Sequence, residues 1–210
     1  MTYNPTRVLI AQLAARLMQE HGIRDFAQAK RKAARQLGIV DAHHLPGNEE
    51  IEAAIREYNA VYHADTQPEV LRELRMEALG IMELLERFDP HLTGAVLNGT
   101  AGQYSGIQIE LFADNEKEVE MYLLNQNLPF RQGQCSSHGS HGKRPVPCFI
   151  LDSDTGDIRI TVEPAIAIRR SQRSHSGEPL RRASLSQLKS LIAEDDNQAH
   201  VQSSANQSAT

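Results

Sequence analysis

Small and hydroxyl-bearing residues interrupt two apolar runs near the middle of the chain, in an arrangement suited to phosphate binding. The first run, 95–97, stops at Gly99 and Thr100, and Ser105 precedes an alternating run, 107–112. Glycine lets the backbone approach a ligand closely, threonine supplies a hydroxyl, and successive N–H groups at a turn bind anions. We therefore expect Gly99, Thr100 and Ser105 to contact a nucleotide or another phosphorylated ligand.

The order of these features resembles the nucleotidyltransferase fold of the DNA polymerase β type. In that fold a Gly-Ser turn after the first strand holds nucleotide phosphates, and an Asp-x-Asp pair on the second strand binds metal. Here Ser105-Gly106-Ile107-Gln108 stands where the family has Ser-Asp-Ile-Asp. A third carboxylate, on a later neighbouring strand, would fall at Arg159 or Thr161. The resemblance thus implies a phosphate-binding scaffold without its metal ligands, in which Gln108 hydrogen-bonds where a metal would lie.

Two glutamates offer a displaced metal site. Glu110 and Glu163 lie on the polar sides of the runs 107–112 and 157–163, one residue pair beyond the family positions. Side chains two positions apart on a strand share a face, and Mg²⁺ prefers carboxylate oxygens. One hypothesis is therefore an active Mg²⁺-dependent transferase with Glu110 and Glu163 as catalytic residues. The alternative is that both are ordinary exposed strand glutamates, and we assign no metal ligand.

Three stretches are similar to a small, poorly characterised bacterial family of nucleotidyltransferase-like proteins. They read A-K-R-K-A-A-R-Q-L-G (29–38), L-T-G-A-V-L-N-G-T-A (92–101) and D-N-E-K-E-V-E-M-Y-L-L-N-Q (114–126), and the resemblance covers about Arg7–Ala193. Some relatives carry the name of a UDP-N-acetylmuramate–alanine ligase. The residues do not support that activity, because a Gly-Lys-[Ser/Thr] phosphate loop is missing and Gly142-Lys143 is followed by Arg144.

Arginines after the last predicted strand are candidates for contacting the phosphate. Arg169 and Arg170 begin a segment that also contains Arg173, Arg181 and Arg182. Glu178 is the only acidic residue in this segment. Guanidinium groups match phosphate geometry with paired donors. We expect Arg169 and Arg170 to bind the ligand, and intramolecular pairing with acidic helices is the alternative.

The two cysteines do not predict a disulfide framework. Together with two histidines they have donor atoms suited to zinc, but their spacing matches no zinc module that we know and the segment is typical of a polar loop: Cys135, His138, His141, Cys148. The sequence therefore favours a reduced, cytoplasmic setting.

Hydrophobic periodicity predicts an α+β protein in which N-terminal helices pack on a small mixed sheet of nucleotidyltransferase type. We predict a helical region, 1–88, an α/β domain, 89–193, and a disordered polar tail, 194–210. The predicted strands are 96–97, 107–112, 130–134, 146–152 and 157–163, the last two joined by a hairpin turn at 153–156. Helices are predicted at 116–126 and 185–193.

Composition narrows the class of partner. The net charge of −5 comes from basic segments, 1–40 and 131–191, around an acidic segment, 41–130. No apolar run reaches the roughly 18 residues of a membrane span, and the first residues lack the layout of a secretory signal. We expect a nucleotide or phosphorylated small molecule as ligand, and neither nucleic acid nor membrane. A third hypothesis is a protein-interaction module whose acidic helices, 49–89, dock a basic partner.

Overall fold

The computed structural model describes residues 4–39, 41–139, 142–169 and 181–207. The helices are α1 (Pro5–His21), α2 (Phe26–Gln36), α3 (Asn48–Tyr62), α4 (Gln67–Leu84), α5 (Gly94–Asn98), α6 (Glu116–Asn125) and α7 (Leu185–Gln207). The strands are β1 (His91–Thr93), β2 (Ile107–Phe112), β3 (Arg131–Gly139), β4 (Gly142–Ser153), β5 (Gly156–Glu163) and β6 (Ala183–Ser184). The predicted mixed α+β class is confirmed. No helix within the described ranges has the length and apolar character that a bilayer crossing needs.

The chain forms two compact units, each of which takes its residues from two separate segments of the sequence. The first contains the described residues up to Val70 together with Gly99–Ser105. The second contains Leu71–Asn98 and the described residues from Gly106 onward. The segment Gly99–Ser105 therefore belongs to a different unit from the strand that follows it.

The first unit is built from helices whose ends carry the expected signals. Asn4 caps α1, where its side chain accepts a hydrogen bond from the Arg7 backbone N–H, and Gly22 ends it in the left-handed conformation. The Asp25 carboxylate accepts from the Gln28 N–H at 2.6 Å and caps α2. The core of this unit comprises small and branched side chains on α1, α2 and α3: Ile10, Ala14, Leu17, Ala29, Ala33, Ile51 and Ile55.

The second unit is organised around a six-stranded sheet in the order β3-β4-β5-β2-β1-β6. Strands β2 and β5 are parallel, and all other neighbours are antiparallel. Side chains alternate between the two faces of a strand. One face is therefore apolar and fully buried, with Leu92, Ile107, Ile109, Leu111, Ile158 and Ile160. The opposite face, which we call the polar face, carries Thr93, Gln108, Glu110, Arg159, Thr161 and Glu163.

The first strand of this unit is not the predicted one. Val96 and Leu97, predicted as a strand, belong to the short helix α5, and β1 lies before them. Both side chains are buried. A buried apolar run of this length is compatible with either a helix or a strand, so its periodicity could not decide between them. The predicted hairpin at 153–156 is confirmed, because Ser153 pairs with Gly156.

The C-terminal helix is longer than predicted. Disorder was expected from Glu194, whereas α7 continues to Gln207. Asp195 accepts a hydrogen bond from Arg75, and Asp196 accepts one from Arg72 at 2.7 Å, both arginines lying on α4. These ion pairs hold polar residues of α7 against α4. Composition alone does not predict such a contact.

Candidate functional site

The parallel pairing of β2 and β5 sets the geometry of the polar face. Gln108 lies opposite Arg159, Glu110 opposite Thr161, and Phe112 opposite Glu163. Gln108, the position predicted for the second family carboxylate, therefore neighbours Arg159, one of the two positions predicted for the third. An amide and a guanidinium occupy these two positions.

Arg159 has a buried side-chain donor without a hydrogen-bond partner among the described residues. It is half-buried on β5, between Gln108 on one side and Ile150 of β4 on the other. Its Nε atom is buried and has no hydrogen-bond partner in the part of the chain that the structure describes. A buried donor without a partner is unfavourable, and an anion at this point would satisfy it. From the sequence, Arg159 was considered only as one of two positions, with Thr161, for a third carboxylate.

The glycine turn after the first strand lies at Gly94, not at Gly99. Gly94 directly follows β1 and has a φ of 72°, a conformation that favours glycine. A Cβ atom at Gly94 would lie 2.9 Å from the Gln108 side-chain Cδ. The Gln108 amide thus packs against the backbone of this turn. The Gly94-Ala95 dipeptide was overlooked because the following Val96 and Leu97 were assigned to the first strand.

Gly94→Ala is expected to displace the Gln108 amide while lowering stability only moderately. The left-handed conformation costs an alanine about 1 kcal/mol, and the end of the Gln108 side chain can move away from the added methyl group. Gly38→Ala is the matched control, because Gly38 has a φ of 70° and nothing within 4 Å of the added Cβ. Urea denaturation should give similar losses for both variants. Only Gly94→Ala should shift the Gln108 side-chain amide resonance in an NMR spectrum, and an unchanged resonance would contradict the packing.

The predicted residues Gly99, Thr100 and Ser105 lie in the first unit, and their described hydrogen bonds stay within it. Gln67 Nε2 donates to the carbonyls of Gly99 at 3.3 Å and Ala101 at 3.0 Å, and Gln19 Nε2 donates to the Thr100 carbonyl at 3.1 Å. The Ser105 hydroxyl accepts from the Gly102 N–H at 3.0 Å. Thr100 is only 2% exposed. Gln108, Glu110 and Glu163 belong to the second unit.

Glu110 is engaged by an arginine. Arg182 Nε donates to Glu110 Oε2 at 2.6 Å, with the two side chains 13% and 15% exposed. The Arg182 guanidinium also lies 5.0 Å from the centre of the Phe112 ring. Burial raises the pKa of Glu110, while the Arg182 charge and hydrogen bond oppose that shift and the nearby Glu163 adds to it. Glu163 itself is fully buried.

Glu110→Gln is expected to change how stability depends on pH. Because the pKa of Glu110 is raised from its ordinary 4.5, the folded protein keeps a proton that the unfolded chain releases. The contribution of Glu110 to the free energy of unfolding is therefore present below that ordinary value and falls as pH rises through the raised pKa. The stability of Glu110→Gln relative to the wild type should rise from about pH 4 to about pH 7, measured by urea denaturation. The exposed Glu118→Gln is the control, and a difference that falls with pH would reverse the conclusion.

The residues at this site do not fit a magnesium ion. Gly106 and Gln108 offer no carboxylate, and the Arg159 guanidinium would repel a cation. The Glu110 carboxylate is engaged by Arg182, which leaves Glu163 beside it. Within the described ranges, no three histidine, cysteine, aspartate or glutamate side chains are grouped as metal ligands.

The cysteines form a disulfide, contrary to the reduced setting expected from the sequence. Cys135 on β3 and Cys148 on β4 are bonded, with Cα atoms 5.5 Å apart. The pairing of β3 with β4 brings the two residues together, and this long-range register was not visible in the sequence. Neither sulfur is therefore a thiolate that could bind zinc, and His141 lies outside the described residues.

The arginine candidates remain predictions. Arg169 ends a short 3₁₀ helix, Ala165–Arg169, and Arg170 lies outside the described residues.

Comparison with protein-family models, with curated proteins and with solved structures finds no match to this chain.

Proposed function

We propose that this chain is a nucleotidyltransferase-like protein that binds a nucleotide or another phosphorylated small molecule without a metal ion and without transferring it. The observation that carries the proposal is the register of β2 and β5. It places Gln108 opposite Arg159, at two positions where the resemblance puts carboxylates. The turn at Gly94, directly after β1 and against Gln108, adds the glycine that the resemblance expects there.

The proposal follows from the charge at one position of the polar face, that of the third family carboxylate, taken here as Arg159. Family carboxylates bind metal cations, and the metal in turn binds phosphate. Here a permanent cation stands in the third position, so phosphate oxygens would contact the protein directly. A guanidinium offers two parallel N–H donors to a phosphate, and such charge-assisted hydrogen bonds are the strong ones. The Gln108 amide can donate a further hydrogen bond from the neighbouring strand.

Binding without transfer follows from the same residues. Nucleotidyl transfer relies on divalent metal to neutralise phosphate charge and to align the attacking and leaving oxygens. The alternative, a transferase that uses Glu110 and Glu163, has less support because Arg182 engages Glu110 and Glu163 is fully buried. The site is therefore built to hold a phosphate and not to activate it.

A thermal-shift panel tests the proposal on the full chain. Inorganic phosphate, ATP, GTP, CTP and UTP are added in turn, each with and without Mg²⁺. A ligand that binds only the folded state raises its stability by mass action. We expect a shift that does not need Mg²⁺, and no transfer of radiolabel from any nucleotide. A shift that requires Mg²⁺ would favour the transferase with Glu110 and Glu163, and no shift with any ligand would favour the interaction module of segment 49–89.

A further inference from the structure

The disulfide joins the edge strand of the sheet to its neighbour. Cys135 lies on β3, where Val146 is its partner, and Cys148 lies on β4 opposite Gly133. The two cysteines are the only ones in the chain. No second protein thiol is present for internal exchange, so a thiol from outside the chain must open the bond.

The two cysteine residues differ in exposure. Cys148 is 2% exposed, whereas Cys135 is half-buried on a strand whose preceding residues, Arg131–Gln134, are exposed. Thiol–disulfide exchange proceeds by attack of a thiolate on one sulfur while the other leaves. A thiolate arriving from solvent therefore reaches Cys135 Sγ first.

We propose that Cys135 is the entry point of a reversible thiol–disulfide exchange with a small thiol such as glutathione. The thiolate attacks Cys135 Sγ, the bond to Cys148 breaks, and its electron pair leaves on Cys148 Sγ, which takes up a proton. Cys135 then carries a mixed disulfide. A second thiolate attacks the sulfur of the small molecule in that mixed disulfide, forms the oxidised dimer of the thiol, and releases Cys135 as a thiolate. Oxidised glutathione drives the same steps in reverse.

Backbone pairing extends on both sides of the disulfide. Strands β3 and β4 are paired from Arg131 opposite Ile150 to Gly139 opposite Gly142. A cavity of about 250 Å³ between α6 and this hairpin, lined by Lys117, Glu120 and Cys148 among others, is the competing route to the second sulfur. Entry through that cavity would make Cys148 the attacked residue.

Two single-cysteine variants distinguish these routes. Cys148→Ser leaves Cys135 as the reactive thiol, and Cys135→Ser leaves Cys148. Each is incubated with oxidised glutathione, and intact mass follows the gain of one glutathione. We expect Cys135 to react at least about tenfold faster, because reactivity follows exposure of the thiolate. Equal rates, or faster reaction at Cys148, would overturn the proposal.

The wild-type protein supplies a test that does not depend on the variants folding. In buffers of reduced and oxidised glutathione, acid quenching and peptide mapping should locate the mixed disulfide on Cys135. Circular dichroism should stay native throughout. A bond that opens only when the protein unfolds, or a mixed disulfide found on Cys148, would contradict the exchange site.

Discussion

Arg159→Ala is expected to weaken the binding of inorganic phosphate and of any nucleotide that binds in the thermal-shift panel by about ten- to a hundredfold. A hydrogen bond to a charged group contributes about 1.5–3 kcal/mol, and each 1.4 kcal/mol changes a dissociation constant tenfold. Arg159 is the guanidinium opposite Gln108, and its Nε has no partner among the described residues. Isothermal titration calorimetry in low salt measures the change directly.

Two further variants make this result specific. Arg159→Lys keeps the charge but loses the paired donors, so it should bind more tightly than Arg159→Ala and more weakly than the wild type. Arg131→Ala removes an exposed arginine that pairs with Asp152 at 2.7 Å on the outer hairpin, and it should leave phosphate affinity unchanged. If Arg131→Ala weakens phosphate binding as much as Arg159→Ala does, phosphate affinity depends on the overall charge of the protein. That result would contradict the proposed site at Arg159.

Arg75→Met is expected to lower the free energy of unfolding by about 3 kcal/mol. Arg75 is 4% exposed, donates to the Val96 carbonyl at 3.2 Å, and pairs with Asp195. Methionine keeps much of the apolar stem but leaves the carbonyl and the carboxylate without their donor. Val96 is fully buried, so its carbonyl would lose its donor without gaining water, whereas the Asp195 side chain is 31% exposed.

A neighbouring ion pair provides the control. Arg72 and Asp196 join the same two helices, with side chains 53% and 45% exposed. Exposed pairs contribute at most about 1 kcal/mol, so Arg72→Met should change stability little. Urea denaturation of both variants gives the comparison. Equal losses would mean that burial at Arg75 is not what stabilises the contact between α4 and α7.

Local chemistry made the helices of the first unit predictable. Asn4 and Asp25 cap α1 and α2, and Gly22 ends α1, because capping depends on residues within a few positions of each other. The alternation in 107–112 likewise identified β2. Where the decisive contact was distant in the chain, prediction failed. Asp195 is helical beside Arg75 although its own surroundings in the sequence are polar.

Some of the geometry around Gln108 was predictable from the sequence and some was not. The resemblance placed Gln108 on one strand and either Arg159 or Thr161 at the matching point of another, and in the structure Gln108 lies opposite Arg159. That Glu110 would be held by Arg182, 72 residues away, depends on the sheet order and could not be inferred from spacing. Gly94 was not considered from the sequence, because the apolar run after it fitted a strand as well as a helix.

The segment Gly99–Ser105 makes the first unit discontinuous along the chain. Gln67 and Gln19 donate to carbonyls of that segment, although Asn98 and Gly106 on either side of it belong to the second unit. A fragment cut after Val70 would lose these acceptors and expose two glutamine amides that are satisfied in the whole chain. The two units therefore cannot be separated into independent pieces by any single cut, and dissecting their roles requires substitutions within the intact protein.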